Sequence, residues 1–161
     1  MERIAVDFLS SCVSFTLFIA ALLYAAISDA KTREIPNAAH LLLLIAGALN
    51  ILARGLTAYD FISALLGLFL GSFPLLILAL WRKTIGGGDV KLAASAGFVL
   101  GWLGSYLALM AALIAFVLFA CLRRPKKEAP ALPFAPFYAA AGIGAFVLPF
   151  ILNHPFTLQI I

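Results

Sequence analysis

Residues 85–92 read Ile-Gly-Gly-Gly-Asp-Val-Lys-Leu and place an aspartate at the beginning of a long apolar segment. A charged side chain within hydrocarbon costs about 2.5 to 3.5 kcal/mol at a helix centre, so it usually has a partner or a chemical role. Because glycine permits positive φ and close approach of another backbone, Gly86, Gly87 and Gly88 would make room beside Asp89. The simpler interpretation is that Asp89 caps a helix after a glycine turn. The rest of the chain decides between the two.

The composition indicates an integral membrane protein. Of 161 residues, 65% are hydrophobic and only 11% are charged, against about a quarter charged in soluble domains. The length fits one domain, residues 1–161, because each membrane-spanning helix needs about 20 residues. The two cysteines and two histidines are isolated in the sequence, so neither a disulfide framework nor a metal site is predicted. Nothing in the chain calls for a cofactor.

The apolar runs predict an all-α membrane protein with six transmembrane helices. Their expected bounds are residues 6–27, 38–53, 61–81, 90–103, 105–122 and 134–152. Two glycine pairs, at 67 and 71 and at 97 and 101, have the spacing that lets helix backbones pack closely in lipid. We expect these four glycines to serve packing only.

The basic residues predict the orientation of the chain. If the first helix runs from outside to inside, the outer side keeps only Arg3 and Arg54. The inner side then collects Lys31, Arg33, Arg82, Lys83, Lys91, Arg123, Arg124, Lys126 and Lys127. The positive-inside rule therefore places both termini outside. The net charge of +4 is explained by this topology and by contact with an anionic lipid bilayer, so a nucleic-acid partner is not indicated.

This orientation brings two aspartates to the inner interface. Asp29 is expected at the end of the first helix and Asp89 at the start of the fourth. Two carboxyl groups at one depth are what an aspartyl protease needs, because one deprotonates a water while the other donates a proton to the scissile carbonyl. A different class is a small transporter or scaffold, in which the pair would relay protons or cations. A relay favours further ionisable groups across the bilayer, and the predicted helices carry none at mid-depth.

Three segments together resemble the type IV prepilin peptidase family. Residues 28–37 (Ser-Asp-Ala-Lys-Thr-Arg-Glu-Ile-Pro-Asn) are similar to its first aspartate motif, residues 86–91 to its G-x-G-D motif, and residues 132–137 (Leu-Pro-Phe-Ala-Pro-Phe) to the motif that opens its last helix. The resemblance implies a G-x-G-D intramembrane aspartyl protease with Asp29 and Asp89 as its catalytic pair. It also implies removal of a basic leader from pilin-like precursors at the cytoplasmic face of the inner membrane, in pilus assembly and protein secretion.

Other residues of these motifs are expected to shape the site. Pro36 and Asn37 start the second helix and form a rigid turn that presents Asp29. Lys91 either orients Asp89 or extends toward the lipid headgroups, and the two roles are equally compatible with the sequence. The motif that opens the last helix contributes Pro133, Phe134 and Pro136.

The chain departs from the larger members of that family. It has no C-x-x-C pair, so methyltransferase activity is not expected and the chain resembles the compact peptidases found with tight-adherence pili. The alternative is a protease like presenilin or signal-peptide peptidase, because Tyr59-Asp60 precedes Asp89 and Pro130-Ala131-Leu132 follows it. The basic residues oppose that pairing, since they place Asp60 across the membrane from Asp89. The sequence does not indicate an oligomeric state.

Overall fold

The computed structural model describes residues 2–82, 86–122 and 132–151, and each element in those ranges is an α-helix. The helices are α1 (Glu2–Thr32), α2 (Asn37–Ala53), α3 (Ala58–Arg82), α4 (Gly87–Leu122) and α5 (Ala135–Ile151). The all-α prediction is therefore confirmed over these ranges. The predicted basic loop around residues 123–127, Lys83 and the C-terminus at Ile161 lie outside the described residues.

Helix α1 is longer than the apolar run that predicts it. The expected helix ends at residue 27, whereas α1 continues to Thr32, so Asp29 lies inside its last turn and not at its end. The reason is that hydropathy marks the part of a helix that crosses lipid, while the polar end keeps its own hydrogen bonds. Arg33, with φ of 60°, ends the helix and donates its N–H to the Asp29 carbonyl at 3.1 Å.

Helix α4 folds back on itself at Gly101. The predicted fourth and fifth helices follow one another directly within α4. Gly101 lies between them, with φ of 71° and ψ of −179°, which is not a helical conformation. Ala93 O and Ser105 Oγ each lie 2.6 Å from the position of a Cβ on Gly71. In a straight helix, residues 93 and 105 would be about 18 Å apart along the axis. The two arms, residues 87–100 and 102–122, therefore run antiparallel, and the break lies at 101 and not at 104 as predicted.

Neighbouring helices satisfy the backbone groups that this break releases. Asn50 of α2 donates its Nδ2 to the Val99 carbonyl at 3.3 Å, and Ser63 Oγ of α3 accepts from the Trp102 N–H at 3.4 Å. In the second arm, the buried Ser105 hydroxyl donates to the Gly67 carbonyl at 2.9 Å. Backbone groups in hydrocarbon must be paired inside the protein, so Asn50 and Ser63 make the break tolerable within a membrane, while Ser105 fastens the second arm to α3.

The helices form a ring of four with one helix outside it. Helix α1 packs on α2 and α5, and α4 packs on the other sides of α2 and α5. Large buried side chains from all four fill the centre: Phe18, Leu22, Leu43, Leu92, Leu109 and Tyr138. Helix α3 packs mainly against α4, where the two glycine pairs meet at Gly67 and Gly97. The predicted packing role of these pairs is confirmed, and Gly101 in addition forms the break.

The outer surface of the bundle is apolar, as expected of a membrane protein. Within the described residues, three helical segments are long and apolar enough to cross a bilayer, Leu9–Thr32, Ala58–Trp81 and Gly87–Leu122, and two shorter apolar segments accompany them. The third folds back at Gly101 and so consists of two shorter arms. Large side chains on α3 such as Phe69, Phe73 and Leu80 are more than half exposed. The number of crossings and the location of the termini remain predictions.

Candidate active site

Asp29 is held by the last helix of the chain. Its side chain is 7% exposed, and Oδ2 accepts a hydrogen bond from the Ala135 N–H at 3.1 Å. Ala135 is the first residue of α5, where a helix has free N–H groups and a partial positive charge. A buried carboxylate from α1 therefore occupies the N-terminus of a helix 106 residues away.

Asp89 lies in the first turn of α4, as predicted. Its backbone N–H donates to the Gly86 carbonyl at 3.1 Å, which makes the turn that starts the helix. Its Oδ1 is buried and has no hydrogen-bond partner among the described residues. An unpaired carboxyl oxygen at that depth is costly, so it is available for a water or a substrate.

The two carboxyl groups lie at the same end of the ring. They are close enough to interact electrostatically, although α1 and α4 touch at few other points. Lys91 is exposed, and Asp89 lies about 200° around the helix from it, so Asp89 faces the interior of the ring. Within the described part of the chain, Lys91 forms no ion pair with Asp89. The headgroup-facing role thus fits Lys91 better than the orienting one.

The glycines before Asp89 differ in their surroundings. Gly87 and Gly88 are the first residues of α4 and have no positive φ, so the expected glycine turn is wrong at these two positions. A Cβ on Gly87 would meet no atom within 4 Å, whereas a Cβ on Gly88 would lie 3.4 Å from the Cβ of Ile35. A Cβ on Gly86 would lie 3.6 Å from Oδ2 of Asp89. Ile35 therefore limits the size of the side chain at position 88, although a single Cβ there would make only an ordinary van der Waals contact.

The turn between α1 and α2 brings Ile35 to this contact. Pro36 caps α2 with φ of −68° and ψ of 141°, and Asn37 is the first helical residue, as predicted. The Ser28 hydroxyl donates to the Glu34 carbonyl at 2.8 Å, which fastens the turn to the end of α1. The predicted turn at Pro36 and Asn37 is therefore present, and its role in presenting Asp29 stays a prediction.

An aromatic cluster fixes the beginning of α5. Phe134 is 7% exposed, and its ring lies 5.7 Å from that of Phe116 and 6.0 Å from that of Tyr138. Phe137 packs edge-on against Phe116 at 5.6 Å. Because Phe116 belongs to the second arm of α4, the cluster ties that arm to the helix start beside Asp29. Pro133 precedes the helix and Pro136 is its second residue, both partly buried.

Asp60 belongs to the opposite end of the bundle. Its N–H donates to Thr57 Oγ1 at 3.1 Å, Thr57 Oγ1 donates in return to its carboxylate, and Arg54 forms an ion pair with it at 3.7 Å. A cavity of about 40 Å³ there is lined by Asp60 and Gly101. Since 12 residues of helix separate Gly101 from Asp89, the two aspartates are about 18 Å apart along the axis. The presenilin-like pairing of Asp60 with Asp89 has no geometric support.

Sequence reasoning missed the residues that act through the backbone or by packing. Ala135 contributes an N–H group, which no side-chain pattern reveals, and Phe116 lies in an unbroken apolar run. The sequence indicates Ile35 only as part of the Ile-Pro-Asn motif and does not indicate its contact with Gly88. Across the described ranges, no group of three or more His, Cys, Asp or Glu side chains is placed to hold a metal.

Comparison with known proteins gives a family match whose range includes the first two motifs. The model of the type IV leader peptidase family matches residues 16–122, which is about two thirds of the chain. The matched range contains Asp29, Gly86–Gly88 and Asp89, and it ends before the motif that opens α5. No curated protein and no solved structure was found to match the chain.

Proposed function

Because the chain belongs to the type IV leader peptidase family, we propose that it is an aspartyl endopeptidase that removes the basic leader from pilin-like precursors. The observation that carries this proposal is the convergence of Asp29 and Asp89 at one end of the ring, with Oδ1 of Asp89 lacking a partner among the described residues. One carboxylate takes a proton from the water that attacks the scissile carbonyl carbon, while the other carboxyl group, in its protonated form, donates its proton to the carbonyl oxygen. The tetrahedral intermediate then breaks its C–N bond, and the leaving amine takes the proton held by the first carboxyl group. The reaction needs no cofactor.

The location of the cut follows from the charge pattern of such a precursor. The positive-inside rule retains a basic leader in the cytoplasm while the following apolar helix enters the bilayer. The junction then lies at the inner interface, where the distribution of basic residues places the dyad. A peptide bond within a helix is covered and hydrogen-bonded, so the cut falls in extended backbone, most readily at a glycine before the apolar run. The active site accordingly faces the cytoplasm of a cell with an inner membrane.

The chain is proposed to act as a peptidase only. Its sequence has no C-x-x-C pair of the kind that accompanies N-methylation in larger relatives. Pilin-like precursors and the bilayer are its proposed partners, and mass spectrometry of the cleaved product would reveal an unmethylated N-terminus.

Three aspartate variants test the mechanism. Purified protein in detergent is incubated with a panel of pilin precursors, and release of the leader is followed by mass spectrometry. We expect Asp29→Asn and Asp89→Asn each to abolish cleavage, because both carboxyl groups are needed for proton transfer. Both should keep the fold, since the amide oxygen introduced by Asp29→Asn can still accept the Ala135 N–H.

The matched control is Asp60→Asn, at the far end of the bundle. It should cleave normally and lose about 1 kcal/mol of stability at most, because the amide oxygen of asparagine still accepts from the Thr57 hydroxyl and only the ion pair with the exposed Arg54 is lost. Cleavage by both dyad variants would eliminate the aspartyl mechanism. An inactive Asp60→Asn beside an active Asp29→Asn would instead support the presenilin-like pairing.

A further inference from the structure

The beginning of α5 offers one N–H group to the rest of the molecule. Pro136, the second residue of the helix, has no N–H. The N–H groups of Phe137 and Tyr138 both donate to the Phe134 carbonyl, at 3.0 and 3.1 Å. Among the residues described at this helix start, the Ala135 N–H therefore remains as the donor that reaches another helix.

That donor engages one defined oxygen of the proposed catalytic pair. The Ala135 N–H binds Oδ2 of Asp29 at 3.1 Å, in a location where Asp29 is 7% exposed and Ala135 is fully buried. A carboxylate oxygen accepts hydrogen bonds near the plane of the group, so the N–H bound to Oδ2 holds the Asp29 carboxyl group in one rotation about its Cβ–Cγ bond. Oδ1 is then the oxygen that the Ala135 N–H leaves unoccupied.

The location of Ala135 is in turn set by packing at some distance from the dyad. Phe134 and Phe137 are held by Phe116 of the second arm of α4, with ring centres 5.7 and 5.6 Å apart. The Tyr138 hydroxyl donates to the Ala93 carbonyl of the first arm at 3.4 Å. The helix start is therefore attached to both arms of α4, and the first arm carries Asp89.

We propose that the Ala135 N–H is a positioning group of the peptidase: it selects Oδ1 of Asp29 as the oxygen that faces Asp89 and the attacking water. This inference rests on the proposed function. It gives the last helix a direct part in the reaction, through a backbone atom that side-chain substitution does not remove. Pro136 supports the arrangement because it offers no second N–H that Asp29 could bind instead.

An amide-to-ester substitution tests the role of this single atom. Cell-free synthesis into lipid nanodiscs allows lactic acid to replace Ala135, which exchanges the N–H for an oxygen and leaves the methyl group. The probe is a precursor peptide with a basic leader, a glycine and an apolar helix that the wild-type protein cleaves. We expect kcat to fall about 10- to 100-fold, the range for loss of one hydrogen bond to a charged group, with KM unchanged within about twofold.

The matched control carries the same ester at Ala139, one turn later in α5. Ala139 is also buried, and its ester removes one N–H from the helix without touching Asp29. Its kcat should stay within about threefold of the wild-type value. Equal losses in the two esters, an unchanged kcat at 135, or an effect confined to KM would each overturn the proposal. A wild-type protein that cleaves no precursor would instead remove the proposed function itself.

A second measurement does not depend on activity or on the ester. In protein labelled with ¹⁵N-alanine, the amide proton of Ala135 should resonate downfield because it binds a carboxylate, and Asp29→Ala should move it upfield. The Ala139 resonance should stay in place. An Ala135 resonance that does not respond to Asp29→Ala would overturn the proposal even where the ester protein fails to fold.

Discussion

Asp29 and Asp89 differ in what surrounds their carboxyl groups, although both lie at the same end of the bundle. One oxygen of Asp29 is fixed by the beginning of α5, while Oδ1 of Asp89 has no partner in the described structure. An unpaired buried oxygen destabilises the fold, and such local cost is common where it serves chemistry. The pair therefore combines one carboxyl group that a hydrogen bond orients with one whose buried Oδ1 has no partner in the described structure.

The two helical glycines before Asp89 should respond differently to added bulk. Valine at 88 would extend its methyl groups toward Ile35, already 3.4 Å from a Cβ at that position, and would push the turn after Asp29 away from Asp89. We expect Gly88→Val to lower kcat/KM at least about tenfold. Gly87→Val should stay within about threefold, because the space there is open.

Cleavage assays with thermal unfolding of each variant check this pair. Gly88→Ala should retain most activity, since 3.4 Å is still an acceptable carbon contact. A larger loss at 87 than at 88 would mean that the substrate, and not Ile35, occupies this side of the helix.

At the scale of elements, the contact between α3 and α4 depends on glycines, which have no side chain. A Cβ on Gly67 would overlap the Gly97 carbonyl oxygen and would lie 2.6 Å from the Gly101 carbonyl carbon. These are backbone atoms, which cannot rotate away as a side chain does. We expect Gly67→Ala to separate the helices at a cost of about 1–3 kcal/mol in the free energy of unfolding.

The control is Gly144→Ala in α5, where a Cβ would meet nothing within 4 Å. This variant should be neutral or stabilised by up to about 1 kcal/mol, because alanine favours the helix. Reversible unfolding in mixed micelles compares the two variants. A Gly67→Ala protein as stable as the wild type would show that α3 packs elsewhere.

The helices themselves could be predicted because long apolar runs must be helical in lipid. The bend at Gly101 was harder to place, since the glycine belongs to a pair whose spacing also predicts packing, and both roles are present. The approach of Asp29 to Asp89 could be predicted, because the basic residues near both aspartates place them at one end of the helices. The hydrogen bond from the Ala135 N–H to Asp29 could not be predicted, because nearly all residues have a backbone N–H and the partner is 106 residues away.

The orientation of the whole molecule is a prediction from its basic residues. Reporter fusions after Lys83 and Lys127 should read cytoplasmic, and fusions after Arg54 and at Ile161 should read external. Paired reporters that are active on opposite sides of the membrane make the measurement internally controlled. Reversed readings would place the dyad on the outer face, where a leader retained in the cytoplasm does not reach it.

The hydrogen bond between Asp29 and Ala135 can form only after both residues have been synthesised. Ribosomes add about 5–20 residues per second, so the 106 residues between these partners take roughly 5 to 20 s to synthesise. For the last 46 of those residues, roughly 2 to 9 s, both aspartates already exist but the helix start that orients one of them does not. On the proposed mechanism the nascent chain is therefore incomplete beside the translocon until α5 has been made and enters the membrane.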